Sequence, residues 1–396
     1  MPSVVPLRFR QLLCACLMVP LASASCLVLA SPPRLAPGVH EAVRASPRGP
    51  ALIAHRGASA LLPEHTLEAY ARAIADGADF IEPDLVMTRD GVLVARHENE
   101  LGSTTDVASR PEFAQRRTRR LVDGLQVEGW FVEDFGIDEL LELRVRERLP
   151  ELRGTQHDGR YRIPMFDEIV ALVADAARRE GRNIGLVPEI KSSSHLHARG
   201  LDPEQALVTS LRLNPYTRAA PVGVQSFEVA NLRRLRDLLD AAGLRNVFLV
   251  QLIGALDTSP WDVLLEGRVQ TYRQMLDPQG LQAMAGYADV VAPPLRAVLP
   301  LDARGALAAP TPLVASAHAA GLAVHVWTLR PENRFLPPAL RCPGSEALRC
   351  EAGAAVEAAA LAAAGVDAVF ADDPGLVRRS LQASASAVRA VPDKGS

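Results

Sequence analysis

The fold is decided by residues 52–101, which read LIAHRGASALLPEHTLEAYARAIADGADFIEPDLVMTRDGVLVARHENEL. The apolar run at 51–54 predicts a short buried strand, and His55 and Arg56 follow at its C-terminal end. Thr66 is then placed to cap a helix whose apolar face is formed by Leu67, Tyr70, Ala71 and Ile74. A buried strand followed by an amphipathic helix predicts an α/β unit with polar side chains at the strand end.

Two acidic residues share one face of the next predicted strand. Residues 80–86 alternate so that Glu82 and Asp84 point to the same side. Two carboxylates held this close repel each other, so a bound cation is the natural reason to keep both. The pattern therefore predicts a metal site at this strand.

The Asp-Gly pair at 90–91 predicts where a second histidine lies. This pair is typical of a two-residue hairpin turn in which both central residues have positive φ. With such a turn Arg89 faces Val92, and counting outward along the strands puts Asp84 opposite His97. The alternative is an ordinary surface hairpin with a solvated histidine. The polar residues at the first strand end favour the first interpretation.

Composition and the first thirty residues indicate an exported soluble protein. The 396 residues are 48% hydrophobic and 22% charged, which fits one large domain or two small ones. Arg8 and Arg10 precede an apolar run at 12–30, which predicts a cleaved signal peptide over 1–30 rather than a stable membrane span. The protein is therefore expected to be secreted or periplasmic. The net charge of −3 provides no basic face, so no nucleic-acid partner is expected.

Three cysteines bear on processing and redox state. Cys26 is an alternative lipid-attachment site, although the usual leucine three residues before it is missing, and cleavage before Ser31 is favoured. Cys342 and Cys350 lie close together in a chain expected to be exported, which predicts a local disulfide. Two free thiols in a loop are the alternative.

Strand-like and helix-like segments alternate through the rest of the chain. Six further strands are predicted at 184–190, 222–226, 247–252, 289–293, 323–328 and 368–372. Helical patterns separate them at 227–242, 278–287, 313–320 and 352–364. With the strands that end at His55 and Asp84 there are eight, which predicts a TIM (β/α)8 barrel. In that fold reacting groups lie at the C-terminal ends of the strands.

These elements divide the chain into a barrel domain at 51–381, preceded by a linker at 31–50 and followed by a flexible tail at 382–396. The charged segment 98–160 breaks the alternation and is expected to form a small cap over the barrel mouth. Its arginine run at 116–120 favours a solvated face, with phosphate binding as the alternative.

The segment around Glu189 supplies further candidate residues. Glu189 and Lys191 lie two apart at the end of a buried strand, where alone they would form an ion pair. Beside Glu82 and Asp84 they provide a third hard oxygen ligand and a cation for a phosphate. In the following loop, His195 and His197 have a spacing that suits zinc, but a solvated role is favoured in so polar a segment. Core packing is the default role of Trp327, and its place at a strand end suggests substrate contact.

An ordered set of segments resembles the glycerophosphodiester phosphodiesterases, most of all the secreted or periplasmic bacterial type. The matching segments are 55–59 (HRGAS), 62–67 (LPEHTL), 77–88 (GADFIEPDLVMT), 105–108 (TDVA), 183–191 (NIGLVPEIK), 250–253 (VQLI) and 364–372 (AGVDAVFAD). Any one of them is a weak signal, whereas the ordered set is specific and spans nearly the whole chain after the signal peptide. The resemblance implies a barrel of the phosphodiesterase and phospholipase C-like kind.

The resemblance also implies a metal site and its ligands. It puts Glu82, Asp84 and Glu189 on the metal positions of the family. Three carboxylates without a sulfur ligand favour Ca²⁺, with Mg²⁺ as the alternative.

By the same resemblance, His55 and His97 match the acid–base pair, and Arg56 and Lys191 match phosphate-contacting positions. Trp327 matches an aromatic residue near the alcohol end of the substrate. One histidine would take a proton from the attacking hydroxyl and the other would give one to the leaving alcohol. In the family the attacking group is thought to be the substrate's own neighbouring hydroxyl, which gives a cyclic phosphate that water then opens.

The sequence departs from the family at two positions. Glu98 follows the second histidine where the family usually has aspartate, and its extra methylene changes the reach of the carboxylate. Pro83 lies between two predicted metal ligands and removes a hydrogen-bond donor from the strand. Neither change deletes a ligand or an acid–base group, so activity is expected.

The expected function is metal-dependent hydrolysis of small-molecule glycerophosphodiesters to glycerol 3-phosphate and an alcohol. One alternative is a lipid-cleaving phospholipase on the same barrel, which should expose apolar residues at the barrel mouth. Another is a surface-anchored binding lipoprotein attached through Cys26.

Overall fold

The computed structural model describes Met1, Ser3, Leu35 and residues 37–46 and 49–389 of the chain. Leu35–Ser396 forms one compact unit, separate from Met1–Arg34. The predicted signal peptide, its cleavage position and Cys26 lie outside the described residues. Within the described part, no helix combines the length and the apolar character needed to cross a membrane.

The strands, in chain order, are β1 (Ala51–His55), β2 (Phe80–Glu82), β3 (Asp84–Met87), β4 (Leu93–Ala95), β5 (Thr118–Val122), β6 (Leu125–Gly129), β7 (Gly185–Leu186), β8 (Glu189–Ile190), β9 (Val222–Ser226), β10 (Val247–Leu252), β11 (Val290–Ala292), β12 (Ala323–Leu329) and β13 (Ala368–Ala371). All but β5 and β6 belong to one sheet. Its parallel pairings run from β10 through β11, β12, β13, β1, β2, β7 and β9 back to β10. The predicted eight-stranded TIM barrel is therefore confirmed.

Two of the eight barrel strands are interrupted by proline. The second consists of β2 and β3 on either side of Pro83, and the third consists of β7 and β8 around Val187 and Pro188. Proline has no N–H to donate to a neighbouring strand, so the ladder breaks at these residues. The continuous strands predicted at 80–86 and 184–190 are each split for this reason.

The helices are α1 (Pro37–Ala42), α2 (Leu67–Ala75), α3 (Ile137–Leu141), α4 (Pro150–Arg153), α5 (Phe166–Glu180), α6 (Ser193–Ala198), α7 (Pro203–Leu213), α8 (Val229–Ala242), α9 (Trp261–Leu265), α10 (Tyr272–Met275), α11 (Pro278–Met284), α12 (Leu295–Val298), α13 (Leu313–Ala319), α14 (Glu351–Ala363) and α15 (Pro374–Arg389). Thr66 caps α2 as predicted, and its side chain accepts a hydrogen bond from the Ala69 N–H. The apolar face of α2 differs from the prediction, because Ala71 is exposed and Ala73 is buried in its place. Helix α15 continues well past residue 382, where the tail is predicted to begin.

Apolar side chains fill two layers, one between the strands and the surrounding helices and one inside the barrel. The inner layer includes an edge-on pair of rings, Phe80 and Phe248, with centroids 6.2 Å apart. Leu35, Val39 and Val43 are buried in the same cluster. The predicted linker at 31–50 thus contains a helix, α1, and contributes to the core.

The two-residue turn predicted at 90–91 is wrong. Met87 pairs with Leu93 in the hairpin of β3 and β4, and the Thr88 N–H donates to the Val92 carbonyl, so the turn contains three residues. Only Gly91 of the turn has positive φ, whereas a two-residue type I′ turn requires two such residues. The register shifts by one position, and Asp84 lies across from Arg96 instead of His97.

The segment 98–160 packs as a small subdomain with its own apolar cluster. Its members include Leu101, Val107, Val132, Phe135, Leu140 and Val145, which pack with Val86 of β3 and Val94 of β4. It carries the antiparallel hairpin of β5 and β6 and the short helices α3 and α4. The insertion is therefore a folded unit supported by its own buried side chains.

The predicted disulfide between Cys342 and Cys350 is present. It joins residues of a small apolar cluster that includes Leu336, Ala354 and Leu376, next to the start of α14. The bond therefore closes the loop that leads into α14, within a cluster that also contains Leu376 of the last helix.

Replacing both cysteines by serine should lower the free energy of unfolding by only about 2–3 kcal/mol, because a disulfide that closes a short loop removes little entropy from the unfolded chain. Urea denaturation of the oxidised wild type and the double variant measures this difference. Equal stabilities, or two free thiols in the natively purified protein, would contradict the prediction.

Candidate active site

The register of the barrel strands brings the predicted site residues together at one end. His55 at the end of β1 is the neighbour of Glu82 at the end of β2. Asp84 at the start of β3 pairs with Glu189 at the start of β8, and Glu189 pairs in turn with Gln225 of β9. The C-terminal ends of four adjacent barrel strands thus place these polar side chains side by side.

Glu82, Asp84 and Glu189 form a buried cluster of three carboxylates. One oxygen from each lies within 4.8 Å of the others. Burial, reinforced by the charge of Asp84, raises the pKa of Glu82 well above its usual value. Burial also raises the pKa of Glu189 to about 8, where Lys191 opposes the shift and Asp84 adds to it. The three charges are therefore unfavourable together unless a positive charge joins them.

The same cluster has the donor chemistry of a divalent cation site. All three side chains offer hard oxygen atoms, as Ca²⁺ and Mg²⁺ require. The neighbouring Gln225 donates from Nε2 to Glu82 over 2.9 Å, and its buried Oε1 has no hydrogen-bond partner. A divalent cation would offset the repulsion that raises the pKa values of Glu82 and Glu189, so the residues present fit such an ion.

Two basic side chains flank the carboxylates. The Nε atom of Arg56 lies 3.3 Å from Asp84 Oδ2, and Lys191 Nζ lies 2.8 Å from Glu189 Oε1. Burial works against the charge of Asp84, but Lys191 and Arg56 hold the pKa of that carboxyl well below its usual value. This end of the barrel therefore combines acids that suit a cation with bases that suit a phosphate.

The loop after β1 reaches the site through a close backbone approach. Gly57 has φ +87°, and a Cβ atom there would lie 2.7 Å from the backbone carbon of Ala69 in α2. Only glycine fits both the conformation and the contact. The preceding Arg56 donates its backbone N–H to Glu82 Oε2 over 2.7 Å, so the loop also positions a carboxylate.

His55 is held by a carboxylate at the end of the last barrel strand. Its Nδ1 lies 2.6 Å from Asp372 Oδ1, and its side chain is largely buried. Burial and the charge of Arg56 lower the pKa of His55 to about 4, against the opposing effect of Asp372. The imidazole is therefore neutral near pH 7, and its contact with Asp372 fixes the ring.

His97 follows β4 in a loop and is held by its neighbour. Its Nδ1 lies 2.5 Å from Glu98 Oε1. Burial, Arg56 and Lys191 lower the pKa of His97 to about 3. Arg96, the residue before His97, donates its backbone N–H to the Asp84 carbonyl over 3.0 Å. The chain at His97 therefore lies beside the cluster, although the register that predicted this position is wrong. The longer side chain of Glu98 still contacts the imidazole.

Two arginines of the insertion hold the partners of these histidines. Arg148 donates to both oxygens of Glu98, over 2.7 and 2.5 Å, and to Glu64 over 2.7 Å. Arg153 of α4 donates to Asp372 over 2.6 Å and to Glu332 over 2.8 Å. The insertion thus contributes directly to the site, because a segment of six residues ties both histidine–carboxylate pairs to the barrel.

Sequence reasoning missed several of these residues. His65 is fully buried between Tyr70 and Asp84, with its Nε2 2.9 Å from Asp84 Oδ2. His65 lies within the quoted stretch, and Asp372 follows the last strand in the same way as His55 follows the first, so both left a signal in the sequence. Nothing local to Arg148 or Arg153 marks them, because their partners are far away in the chain.

An aromatic wall lies on the other side of Lys191. The Trp327 ring packs edge-on against Phe227, with centroids 6.1 Å apart, and its Nε1 donates to the Ala292 carbonyl over 2.9 Å. Lys191 Nζ lies 5.6 Å from the centroid of the Phe227 ring. Trp327 is thus packed at a strand end and linked to the site through a second ring.

The solvated role favoured for His195 is wrong. His195 is buried, and its Nε2 lies 2.6 Å from Glu133 of the insertion, because α6 packs against that segment. His197 is partly exposed and lies beside two acids, Asp202 and Glu204. One potential metal-ligand atom from each of the three residues lies within 4.8 Å of the others. The guanidinium of Arg234 already pairs with both of these acids, at 2.6 and 2.8 Å.

The arginine run of the insertion is paired with acidic side chains. Arg116 pairs with Glu139, Arg117 and Arg119 pair with Glu128, and Arg120 pairs with Glu133 and Asp134. These contacts neutralise the run within its own subdomain. Arg120 is only 15% exposed, so the predicted solvated face does not extend to it.

Comparison with known sequences gives a family match over most of the chain. Residues 55–376 match the glycerophosphoryl diester phosphodiesterase family. A glycerophosphodiester phosphodiesterase of Arabidopsis thaliana is 34% identical over 297 residues, covering 72% of this chain and 75% of that protein. A protein of the same description from Haemophilus influenzae is 31% identical over 260 residues, covering 61% and 68%.

Solved structures share the barrel. A protein from Silicibacter pomeroyi, named for glycerophosphoryl diester phosphodiesterase activity, aligns with a TM-score of 0.59 at 23% identity, covering 87% of this chain and 97% of that one. A phosphodiesterase from Oleispira antarctica, solved with the product sn-glycerol-3-phosphate, aligns with a TM-score of 0.51 at 20% identity, covering 84% and 97%. At these identities the two structures establish the common fold.

Replacing Arg153 by methionine should lower the free energy of unfolding by about 3–5 kcal/mol, because Glu332 is left with a buried unpaired charge. Arg178 is a matched control, since it pairs with Asp175 but is 75% exposed. Urea denaturation should show less than about 0.5 kcal/mol for Arg178→Met. Equal losses in the two variants would refute the structural role of Arg153.

Proposed function

The chain belongs to the glycerophosphoryl diester phosphodiesterase family, and on this premise we propose that it hydrolyses glycerophosphodiesters to glycerol 3-phosphate and an alcohol. It is a phosphoric diester hydrolase by this membership and by its relatives in several species. The observation that carries the substrate proposal is the juxtaposition of the three carboxylates with Arg56 and Lys191 at one end of the barrel.

We propose that Glu82, Asp84 and Glu189 hold a divalent cation, Ca²⁺ or Mg²⁺, as their oxygen donors suggest. When bound, such an ion supplies positive charge that stabilises negative charge on the oxygens of a phosphodiester. Arg56 and Lys191 lie on the two sides of the acidic cluster and are placed to contact the phosphate oxygens. Their geometry therefore supports a bound phosphodiester next to the carboxylates.

His55 and His97 are proposed to move the protons of the reaction. Each has its Nδ1 held by a carboxylate, so Nε2 is the atom that exchanges protons. The neutral ring accepts a proton there, and the histidine that serves as the acid must first be protonated at the same atom. One histidine would take the proton of the attacking hydroxyl and the other would protonate the leaving alcohol. The two carboxylates keep the rings oriented and stabilise each imidazolium that forms.

We also propose that the protein is exported to the periplasm or to the exterior of the cell. The disulfide between Cys342 and Cys350 supports it, because such bonds persist in oxidising compartments.

Cleavage of a lysophospholipid is a second candidate function that one observation favours. The hairpin of β5 and β6 exposes Leu121 and Leu125 by 51% and 69%, and Gly124 at its tip touches the ring of Trp261 in α9. Exposed apolar residues beside the barrel mouth suit a lipid substrate. Parallel assays of lysophosphatidylcholine and glycerophosphocholine decide between the two, according to which has the higher kcat/KM.

The primary test is release of glycerol 3-phosphate from glycerophosphocholine and glycerophosphoglycerol by the purified protein. Activity is expected with at least one of these substrates. Absence of hydrolysis of both, with Ca²⁺ and with Mg²⁺, would refute the proposed function.

Glu82→Gln and Glu189→Gln should each lower activity, because each removes one charged ligand but preserves the shape of the side chain. High Ca²⁺ or Mg²⁺ should restore part of the lost activity. Excess chelator should abolish the wild-type activity, and added metal should return it. Asp257→Asn is the control, since this carboxylate is 83% exposed and pairs with Arg273. Full wild-type activity in excess chelator would contradict metal dependence.

His55→Ala and His97→Ala should each lower kcat on the order of a hundredfold or more, since each removes a proton-transfer group. The double variant should lose far less than the product of the two losses, because the pair acts as a unit. Metal affinity, measured by titration, should change little. A kcat for His97→Ala within a few-fold of wild type would refute the two-histidine mechanism.

A further inference from the structure

A cavity of about 260 Å³ adjoins the metal and phosphate residues on the side of the insertion hairpin. Glu189 and Lys191 form part of its wall, so it opens from the proposed site. Residues of four regions complete it, from the loops after β8, β9 and β10 and from the tip of the hairpin at Asp123.

The hairpin tip is fixed over this cavity by two contacts. Ser192 Oγ donates to Asp123 Oδ2 over 2.8 Å. Gly124 has φ +82°, and a Cβ atom there would lie 2.7 Å from the ring of Trp261. Glycine therefore allows the tip to lie directly on the indole, and Asp123 is held at the rim of the cavity.

Aromatic side chains line the cavity beside the phosphate residues. They are Phe227, Trp261 and Tyr272. The rings of Phe227 and Tyr272 meet edge-on with centroids 6.3 Å apart, and Tyr272 is buried. Aromatic faces carry negative electrostatic potential, so such a wall attracts cations, above all weakly hydrated quaternary ammonium groups.

The cavity also carries an excess of acidic groups. Asp123 and Glu228 line it, and neither has an ion-pair partner among the described residues. Lys191 is the one basic residue of the described lining, and it is paired with Glu189 at 2.8 Å. Burial raises the pKa of Tyr272, and the carboxyl groups of Asp262, Glu228, Glu189 and Asp123 raise it further. The ring thus lies in a region of negative potential.

Glu228 is a buried carboxyl group in the wall of the cavity. It accepts hydrogen bonds from the backbone N–H and the hydroxyl of Ser194. Burial nevertheless raises its pKa to about 7, so the group is poised between its two forms. A neighbouring cation would favour the carboxylate and would bind more tightly in return.

We propose that this cavity is a subsite for a cationic alcohol, of the alkylammonium class, at the leaving end of the diester. The inference rests on the proposed function, since it places the phosphate at Arg56 and Lys191 and the ammonium group between the aromatic wall and Asp123. A zwitterionic diester has the matching pattern, with one negative charge on the phosphate and one positive charge on the alcohol. Diesters with a neutral alcohol lack the second interaction.

Steady-state assays of glycerophosphocholine and glycerophosphoglycerol test this subsite, because both are glycerophosphodiesters and only the first carries a cation. The wild type should have a higher kcat/KM for glycerophosphocholine. Asp123→Asn should reduce the ratio of the two values about three- to fivefold, as expected for one exposed charge. Trp261→Leu should reduce it about two- to tenfold through loss of the aromatic face. Asp257→Asn, an exposed acid that does not line the cavity, should leave the ratio unchanged.

Choline titrated into the protein and followed by tryptophan fluorescence gives a readout independent of turnover, with sodium chloride as the ionic-strength control. Saturable binding that Asp123→Asn weakens supports the subsite, even if neither diester is hydrolysed and the proposed function fails. Hydrolysis of both diesters with equal efficiency, or with preference for glycerophosphoglycerol, overturns the subsite and leaves the proposed function intact. Absence of choline binding to the wild type overturns it as well.

Discussion

Mutual repulsion of three buried carboxylates is the constraint on which this end of the barrel depends. Glu82, Asp84 and Glu189 are removed from water, and one oxygen of each lies within 4.8 Å of the others. Arg56 and Lys191 compensate part of this charge, and burial leaves the rest unbalanced, which is why the pKa values of Glu82 and Glu189 rise. An assembly of this kind is costly for folding, and the proposed divalent cation would offset that cost.

Around this cluster, each proposed catalytic histidine contacts a carboxylate that is itself paired with an arginine. His55 contacts Asp372 and His97 contacts Glu98, and each of these carboxylates is held by an arginine of the insertion. The insertion subdomain has its own apolar core, so Arg148 and Arg153 are presented from a folded support. Such support would serve the proposed proton transfer, which needs the rings held in position before the substrate arrives. The hairpin tip of the same subdomain borders the cavity beside Glu189 and Lys191, and the lining of that cavity is largely acidic and aromatic.

Much of this arrangement can be predicted from local sequence, because it depends on strand periodicity. Short strand-like runs bounded by turn residues located β9 and β10 at their observed bounds, and eight such runs predicted the barrel. Parallel strands place their C-terminal ends on one side, so His55, Glu82, Asp84 and Glu189 were expected to meet. The disulfide followed from two neighbouring cysteines in a chain expected to be exported. The roles predicted for the site residues, by contrast, come from the family resemblance.

The tertiary structure decided what depends on register and on distant partners. The turn at Gly91 contains one residue more than predicted, which places Arg96 opposite Asp84. Hydrogen bonds of the Thr88 hydroxyl with Asp90 and with the Val92 N–H stabilise this longer turn. The side chain of His195 is buried rather than solvated because it contacts Glu133, which lies 62 positions earlier in the chain. Arg148 and Arg153 are ordinary charged residues until folding brings Glu64 and Asp372 beside them, 84 and 219 positions away. The sequence by itself determined which strands form and which polar groups end them, since both follow from neighbours along the chain. Which charges neutralise one another was decided only in three dimensions, because ion pairing depends on distance in space.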